Sequence, residues 1–238
     1  MSASASAPAI PFRSFDVRLD PHPPAFVAAR GREIAADWAR ATAVNPKLFN
    51  GRVLLFDRPE IVDGVLRSVA RTVDFAAFHF WLFSEDRDPG LANLFGAAAP
   101  LSADGCLILG RMNAGMVGAG EVKLSSGTPD LDDVRADGQV DLVGSMGREL
   151  AEETGLDARR ARPDPDFLFV DHFPFVAALQ VLRFPDPAAA MLARAAAFLA
   201  ADPDPELSEV LAVATASEAR ALGVPPYTQI IADRLLPP

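Results

Sequence analysis

The chain has 238 residues, half of them hydrophobic and 23% charged, with a formal net charge of −10. That is enough apolar material for one large domain with an added layer, and the negative balance speaks against a protein that grips nucleic acid through its phosphates. The single cysteine, Cys106, excludes an internal disulfide, and His22, His79 and His172 lack the spacing of a zinc site.

Residues 1–10 are rich in Ser, Ala and Pro and lack a basic segment followed by an apolar one, so they read as a disordered leader. No uncharged apolar run approaches the ~18 residues a membrane span needs. A cytoplasmic protein is expected.

Pro23-Pro24 precede a helical pattern carried by Phe26, Val27, Ile34 and Trp38, which Asn45-Pro46 stops. Residues 51–57 and 61–73 read as strands joined at Arg58-Pro59, and Asp74 is placed to cap an aromatic helix over 75–83. Residues 101–110 form an apolar run expected to be one buried strand with Cys106 as core filler; 122–124 is a second, short strand. Residues 125–138 are polar and punctuated by Gly and Pro, which makes them a loop with Asp130, Asp132, Asp133 and Asp137 in solvent. From Asp141 the period turns helical through Leu142, Met146 and Leu150. Strands over 167–184, broken at Phe173-Pro174, a helix over 187–200, a strand over 206–213 and two short helices complete the chain. Intermixed strands and helices predict an α/β sandwich around a mixed sheet.

The segment 148–156 reads Arg-Glu-Leu-Ala-Glu-Glu-Thr-Gly-Leu. Glu149, Glu152 and Glu153 fall at i, i+3 and i+4, so a helix puts their carboxylates on one face, where they repel. A hard divalent cation with oxygen ligands relieves that repulsion. Arg148 is four residues before Glu152 and can steady it, Gly155 suits a left-handed helix end, and Leu150 and Leu156 anchor the helix to the core. A solvated acidic face would require none of these companions.

These residues resemble the second half of the Nudix box, Arg-Glu-apolar-x-Glu-Glu-x-Gly-apolar. The resemblance implies a Nudix-type α/β/α sandwich over 101–238, with 11–100 as an N-terminal α/β extension. It also implies hydrolysis of a nucleoside diphosphate linked to another moiety, with Mg²⁺ or Mn²⁺. Glu149, Glu152 and Glu153 would bind metal or activate water, and Arg148 would orient them. The first half departs from the pattern: Val140 stands where the family has a glutamate, eight residues before the arginine, and Val134 where it has a glycine. Gly127 resembles the displaced glycine, with its carbonyl as a metal contact and an insertion behind it. Val140 is expected to pack, and Asp141 to cap the helix.

A further downstream glutamate is expected from Glu206 or Glu209, with Glu209 preferred because it adjoins the apolar run; Lys123 and Arg111 could meet phosphate. The proton acceptor is Glu149 or that downstream glutamate. UDP-sugars, ADP-ribose, dinucleotides and CoA derivatives stay open as substrates. Residues 45–51 are similar to the extension of the UDP-sugar-hydrolysing branch. The expected partner is a nucleoside-diphosphate-type small molecule, not nucleic acid or a membrane, with a homodimer left open. The rival reading is a nucleotide-sensing module on the same fold that binds without turnover.

Overall fold

A computed structural model describes residues 8–116 and 118–238; most of the expected leader lies outside them, although Ile10 already opens a strand. In chain order the elements are β1 (Ile10–Phe12), β2 (Ser14–Asp20), α1 (Ala25–Ala29), α2 (Gly31–Val44), β3 (Arg52–Asp57), β4 (Glu60–Val62), β5 (Val65–Asp74) and α3 (Phe75–Phe83). There follow β6 (Leu91–Leu101), β7 (Leu107–Met112), β8 (Val122–Lys123), β9 (Ser126–Gly127), a 3-10 turn (Leu131–Asp133) and α4 (Leu142–Thr154). After a second 3-10 turn (Ala158–Arg160) come β10 (Arg162–Pro163), β11 (Phe167–His172), β12 (Phe175–Arg183), α5 (Ala188–Ala201), β13 (Leu207–Val213), α6 (Ala216–Ala221) and α7 (Pro226–Leu235).

The strands form one mixed, branched sheet whose main path runs β1-β11-β12-β6-β3-β5-β2. β6 is its hub. It lies parallel to β12 and antiparallel to β3, β7 and β9, and every one of its residues is buried. β7 continues the branch by pairing antiparallel with β13 and β8. Helices cover both faces, giving the expected α/β sandwich with an N-terminal layer. β6 runs across the expected division between residues 100 and 101 and ties that layer to the rest through its pairs with Phe56 and Asp57.

Three expectations are corrected. The run 101–110 is not one strand: Leu101 ends β6, and a tight turn with Gly105 at φ +86° starts β7. The run 61–73 is split by Asp63-Gly64, both at positive φ, into the β4–β5 hairpin. Asp74 occupies the N-cap of α3 without a side-chain bond; the Asn50 side chain accepts from the Ala76 amide instead, at 2.8 Å. Cys106 is half-buried, packed against the cluster under α5.

Helix α4 is fixed at both ends and along its length. Asp141 accepts from the Gly144 amide at 2.9 Å, and Gly155 ends the helix in the left-handed region at φ 69°. Its first half seats Leu142 and Met146 among Phe12, Val17 and Phe56; its second half seats Leu150, with Leu156 just beyond, among Ala98, Ile108 and Met191. Met146 lies so close to β6 that a Cβ at Gly96 would come within 2.7 Å of it. The four side chains Leu142, Met146, Leu150 and Leu156 are at most 2% exposed. At ~1.5–3 kcal/mol each, their burial outweighs glutamate repulsions of ~0.2–0.5 kcal/mol per pair. Packing therefore holds an acidic face in place.

Candidate active site

α4 turns its glutamates toward β8, β9 and the start of β13. The Glu149 carboxylate rests on Gly127 of β9: a Cβ added there would meet Glu149 Cδ at 2.3 Å and its oxygens at 2.5 and 2.6 Å. Only a glycine leaves that space, so the displaced-glycine position is tied to Glu149 by contact. Gly127 pairs in turn with Gly96 of the hub strand.

Arg148 gathers three carboxylates. Its Nη1 donates to Glu149 Oε1 at 2.9 Å and to Glu152 Oε2 at 3.3 Å, and its Nη2 donates to Asp133 Oδ2 at 2.8 Å and Oδ1 at 3.1 Å. Burial opposes the guanidinium charge, but Asp133 and then Glu149 and Glu152 more than offset it and push the arginine pKa up. Asp133 was expected in solvent with its loop neighbours. It is buried, and it is the site residue the sequence reading missed.

Glu153 is only 4% exposed. Burial pushes its pKa up to about 7 against the opposing pull of Lys123 and a hydrogen bond with Ser125, while Glu149 and Glu206 push it further up. Glu149 is also raised, first by burial and then, against Arg148, by Glu152, Glu206 and Asp133. Five carboxylates (Asp133, Glu149, Glu152, Glu153, Glu206) thus share their surroundings with two cations, Arg148 and Lys123.

The two downstream candidates are placed differently. Glu209, expected as a metal ligand, sits directly across from Arg111 and accepts from its Nε at 2.5 Å, outside the cluster. β13 is irregular between Leu207 and Glu209, and Glu206, just before the strand, is the one whose charge reaches Glu149 and Glu153. Arg111 is thereby taken up by an ion pair, whereas Lys123 remains beside Glu153.

Val140 is buried against the N-terminal layer; its amide donates to the Val17 carbonyl at 2.9 Å, and no carboxylate stands at its position. Beside the glutamates opens a cavity of about 680 Å³. Phe95, Phe173, Phe175 and Tyr227 form aromatic parts of its wall, with Asn93 and Thr128 as polar points; Glu121, Lys123 and Glu206 form its charged edge, and Gly127 lines it as well. Burial pushes the Tyr227 hydroxyl up to about 12, against hydrogen bonds with Ser126 and Thr228 that pull it down.

Among the described residues, no three acidic, histidine or cysteine side chains are gathered closely enough to enclose an ion. In kind the donors suit a hard divalent cation: carboxylate oxygens only, partly desolvated, with negative charge in excess. Glu149 and Glu152 accept from Arg148 in this arrangement.

No family model matches the sequence, and no curated protein is similar to it at the sequence level. Solved structures are similar in fold. One is a Nudix hydrolase from Nitrosomonas europaea, at 16% identity over 62% of this chain and 93% of that one, with a TM-score of 0.39. Another is the Nudix domain of Shewanella oneidensis NrtR in complex with ADP-ribose, at 14% identity over 63% and 94%, TM-score 0.39. The similarity is to Nudix proteins. A third is a bifunctional NMN adenylyltransferase/ADP-ribose pyrophosphatase from Francisella tularensis with AMP and a manganese ion, at 13% identity and TM-score 0.41. It matches 66% of this chain, which spans 44% of that protein. These identities and scores describe a likeness of fold alone.

Proposed function

We propose that the protein is a Nudix-type hydrolase that cleaves the diphosphate linkage of a nucleoside diphosphate joined to another moiety. The observation that carries this reading is the carboxylate cluster of α4 beside the cavity: Glu149 rests on Gly127, which lines the cavity with Lys123 and Glu206, and Arg148 gathers Glu149, Glu152 and Asp133. A protein stabilises such a cluster when a cation and a phosphate complete it.

Glu149, Glu152, Glu153 and Glu206, with the Gly127 carbonyl beside them, would hold Mg²⁺ or Mn²⁺. When bound, the ion would neutralise phosphate oxygens and acidify the attacking water. Glu149 lies against Gly127, which lines the cavity, while Glu153 is closed in behind Ser125 and Lys123. Glu149 is therefore assigned as the proton acceptor and Glu153 as the inner ligand. Lys123 offers a charge to a phosphate oxygen, and Arg148 keeps Glu149 and Glu152 in register. The cavity has the volume and the mixed aromatic and polar wall of a nucleoside-sized site.

The test is a panel of UDP-sugars, ADP-ribose, dinucleotides and CoA derivatives with Mg²⁺ and Mn²⁺, scored by the nucleoside monophosphate released. Release from one class, abolished by EDTA, is expected. Tight binding of a panel member without release would favour the sensing module, and no binding at all would end this reading.

A further inference from the structure

Residue 140, just before the cap of α4, is a valine and offers no carboxylate, yet Arg148 is not left without an anchor. We infer that Asp133, supplied by the inserted loop, is the positioning residue that sets Arg148 and, through it, the carboxylates of Glu149 and Glu152; this rests on the metal-site reading above.

The geometry is that of a clamp with one firm end. Of the three carboxylates on the guanidinium, Asp133 is the most enclosed, with its side chain 8% exposed against 18% for Glu149 and 60% for Glu152. Asp133 is itself held. Its Oδ2 accepts from the Asp130 amide at 3.1 Å, closing a capping box on the 3-10 turn, and its carbonyl accepts from the Asp141 amide at 2.8 Å, at the cap of α4. Behind it, Val134 and Val140 bridge to each other and pack with Val17 in the core of the N-terminal layer. The loop is therefore pinned to two rigid elements and presents one charge to the arginine.

Two Asp133 oxygens occupy Nη2, which leaves Nη1 to be shared between Glu149 and Glu152. Without Asp133 the guanidinium is free to close with both nitrogens on one glutamate, taking up the oxygens a cation needs. A residue acting at this remove changes metal affinity or activity by about 10- to 100-fold.

The experiment measures Mn²⁺ binding by electron paramagnetic resonance, without substrate, in the wild type, Asp133→Asn, Arg148→Gln and the double variant, with melting temperatures alongside. Asp133→Asn keeps an acceptor for the Asp130 amide and removes the charge. It is expected to bind Mn²⁺ about 10- to 100-fold more weakly. In the Arg148→Gln background the same change is expected to add less than about twofold, because coupled residues are non-additive. Asp133→Glu keeps the charge and is expected to bind Mn²⁺ more tightly than Asp133→Asn; it is compared with the wild type if Asp133→Asn does not fold. Unchanged affinity in folded Asp133→Asn, an additive loss in the double variant, or a loss in Asp133→Glu as large as that in Arg148→Gln would overturn the assignment. A wild type that binds no Mn²⁺ overturns the metal-site reading itself, and this inference with it.

Discussion

Replacing Gly127 by alanine perturbs the site through one atom. The new Cβ would stand 2.3 Å from Glu149 Cδ and 2.5 and 2.6 Å from its oxygens, well inside van der Waals contact. Gly127 is not among the glycines at positive φ, so the backbone accepts alanine and the whole effect falls on Glu149. The clash is with the end of a flexible side chain, which can swing away, so the stability cost belongs at the low end of the ~1–3 kcal/mol typical of overpacking. For a chain of this size that is a fall in Tm of roughly 2–4 °C. The displaced carboxylate can no longer rest on β9, and turnover should fall by about 100-fold or more, the scale of one lost electrostatic contact in an active site. Gly147→Ala on the same helix is the control: its Cβ meets only Ala158, at 3.6 Å. It should raise stability by up to ~1 kcal/mol and leave turnover as it was. Melting curves and initial rates at saturating metal read both variants. Full activity in Gly127→Ala would refute the placement of Glu149.

Three further outcomes follow from the same geometry. Asp141→Ala removes the bond to the Gly144 amide and should cost ~0.5–2 kcal/mol, seen as a lower Tm with metal-saturated turnover within a few fold; normal Tm with activity gone would make Asp141 part of the metal site. Glu206→Gln should weaken Mn²⁺ binding and turnover, whereas Glu209→Gln, which breaks a half-exposed pair with Arg111, should shift stability by no more than ~1 kcal/mol and leave turnover alone; the reverse pattern in rates would restore Glu209. For Glu153 the folded pKa of about 7 lies above its ordinary 4.5, so the folded state keeps a proton that the unfolded chain loses. Its contribution to stability in EDTA therefore falls as pH rises from about 4.5 to 7 and levels off above. Glu153→Gln should remove that slope, and parallel Tm-against-pH curves would contradict it.

The helix that carries the glutamates was legible because its signals are local. The glutamates at i, i+3 and i+4, the Asp141 cap and the left-handed Gly155 follow from helix geometry alone, and all three lie where the spacing predicts. What escaped depends on partners distant in the chain. β6, Leu-Ala-Asn-Leu-Phe-Gly-Ala-Ala-Ala-Pro-Leu, is covered on both faces and so shows no alternation; its small residues make room for Met146. Glu209 was preferred to Glu206 because it adjoins the apolar run, but that proximity does not say which side chain faces α4, and Glu209 is taken up by Arg111 across the β7–β13 pair. Asp133 read as one solvated acid among several. The signal available for it was an accounting one: with Val140 apolar, Arg148 needed another carboxylate, and Asp130 and Asp133 stand at capping-box spacing.

Hydrolysis at the α4 face is decided by assaying nucleoside monophosphate release from the preferred panel substrate with Mn²⁺, comparing the wild type with the Glu149→Gln, Glu153→Gln double variant. Metal-dependent release by the wild type, and a loss of about 100-fold or more in a double variant that still melts cooperatively, is the predicted result. Equal release by a folded double variant would contradict it, and would place the reaction away from these glutamates.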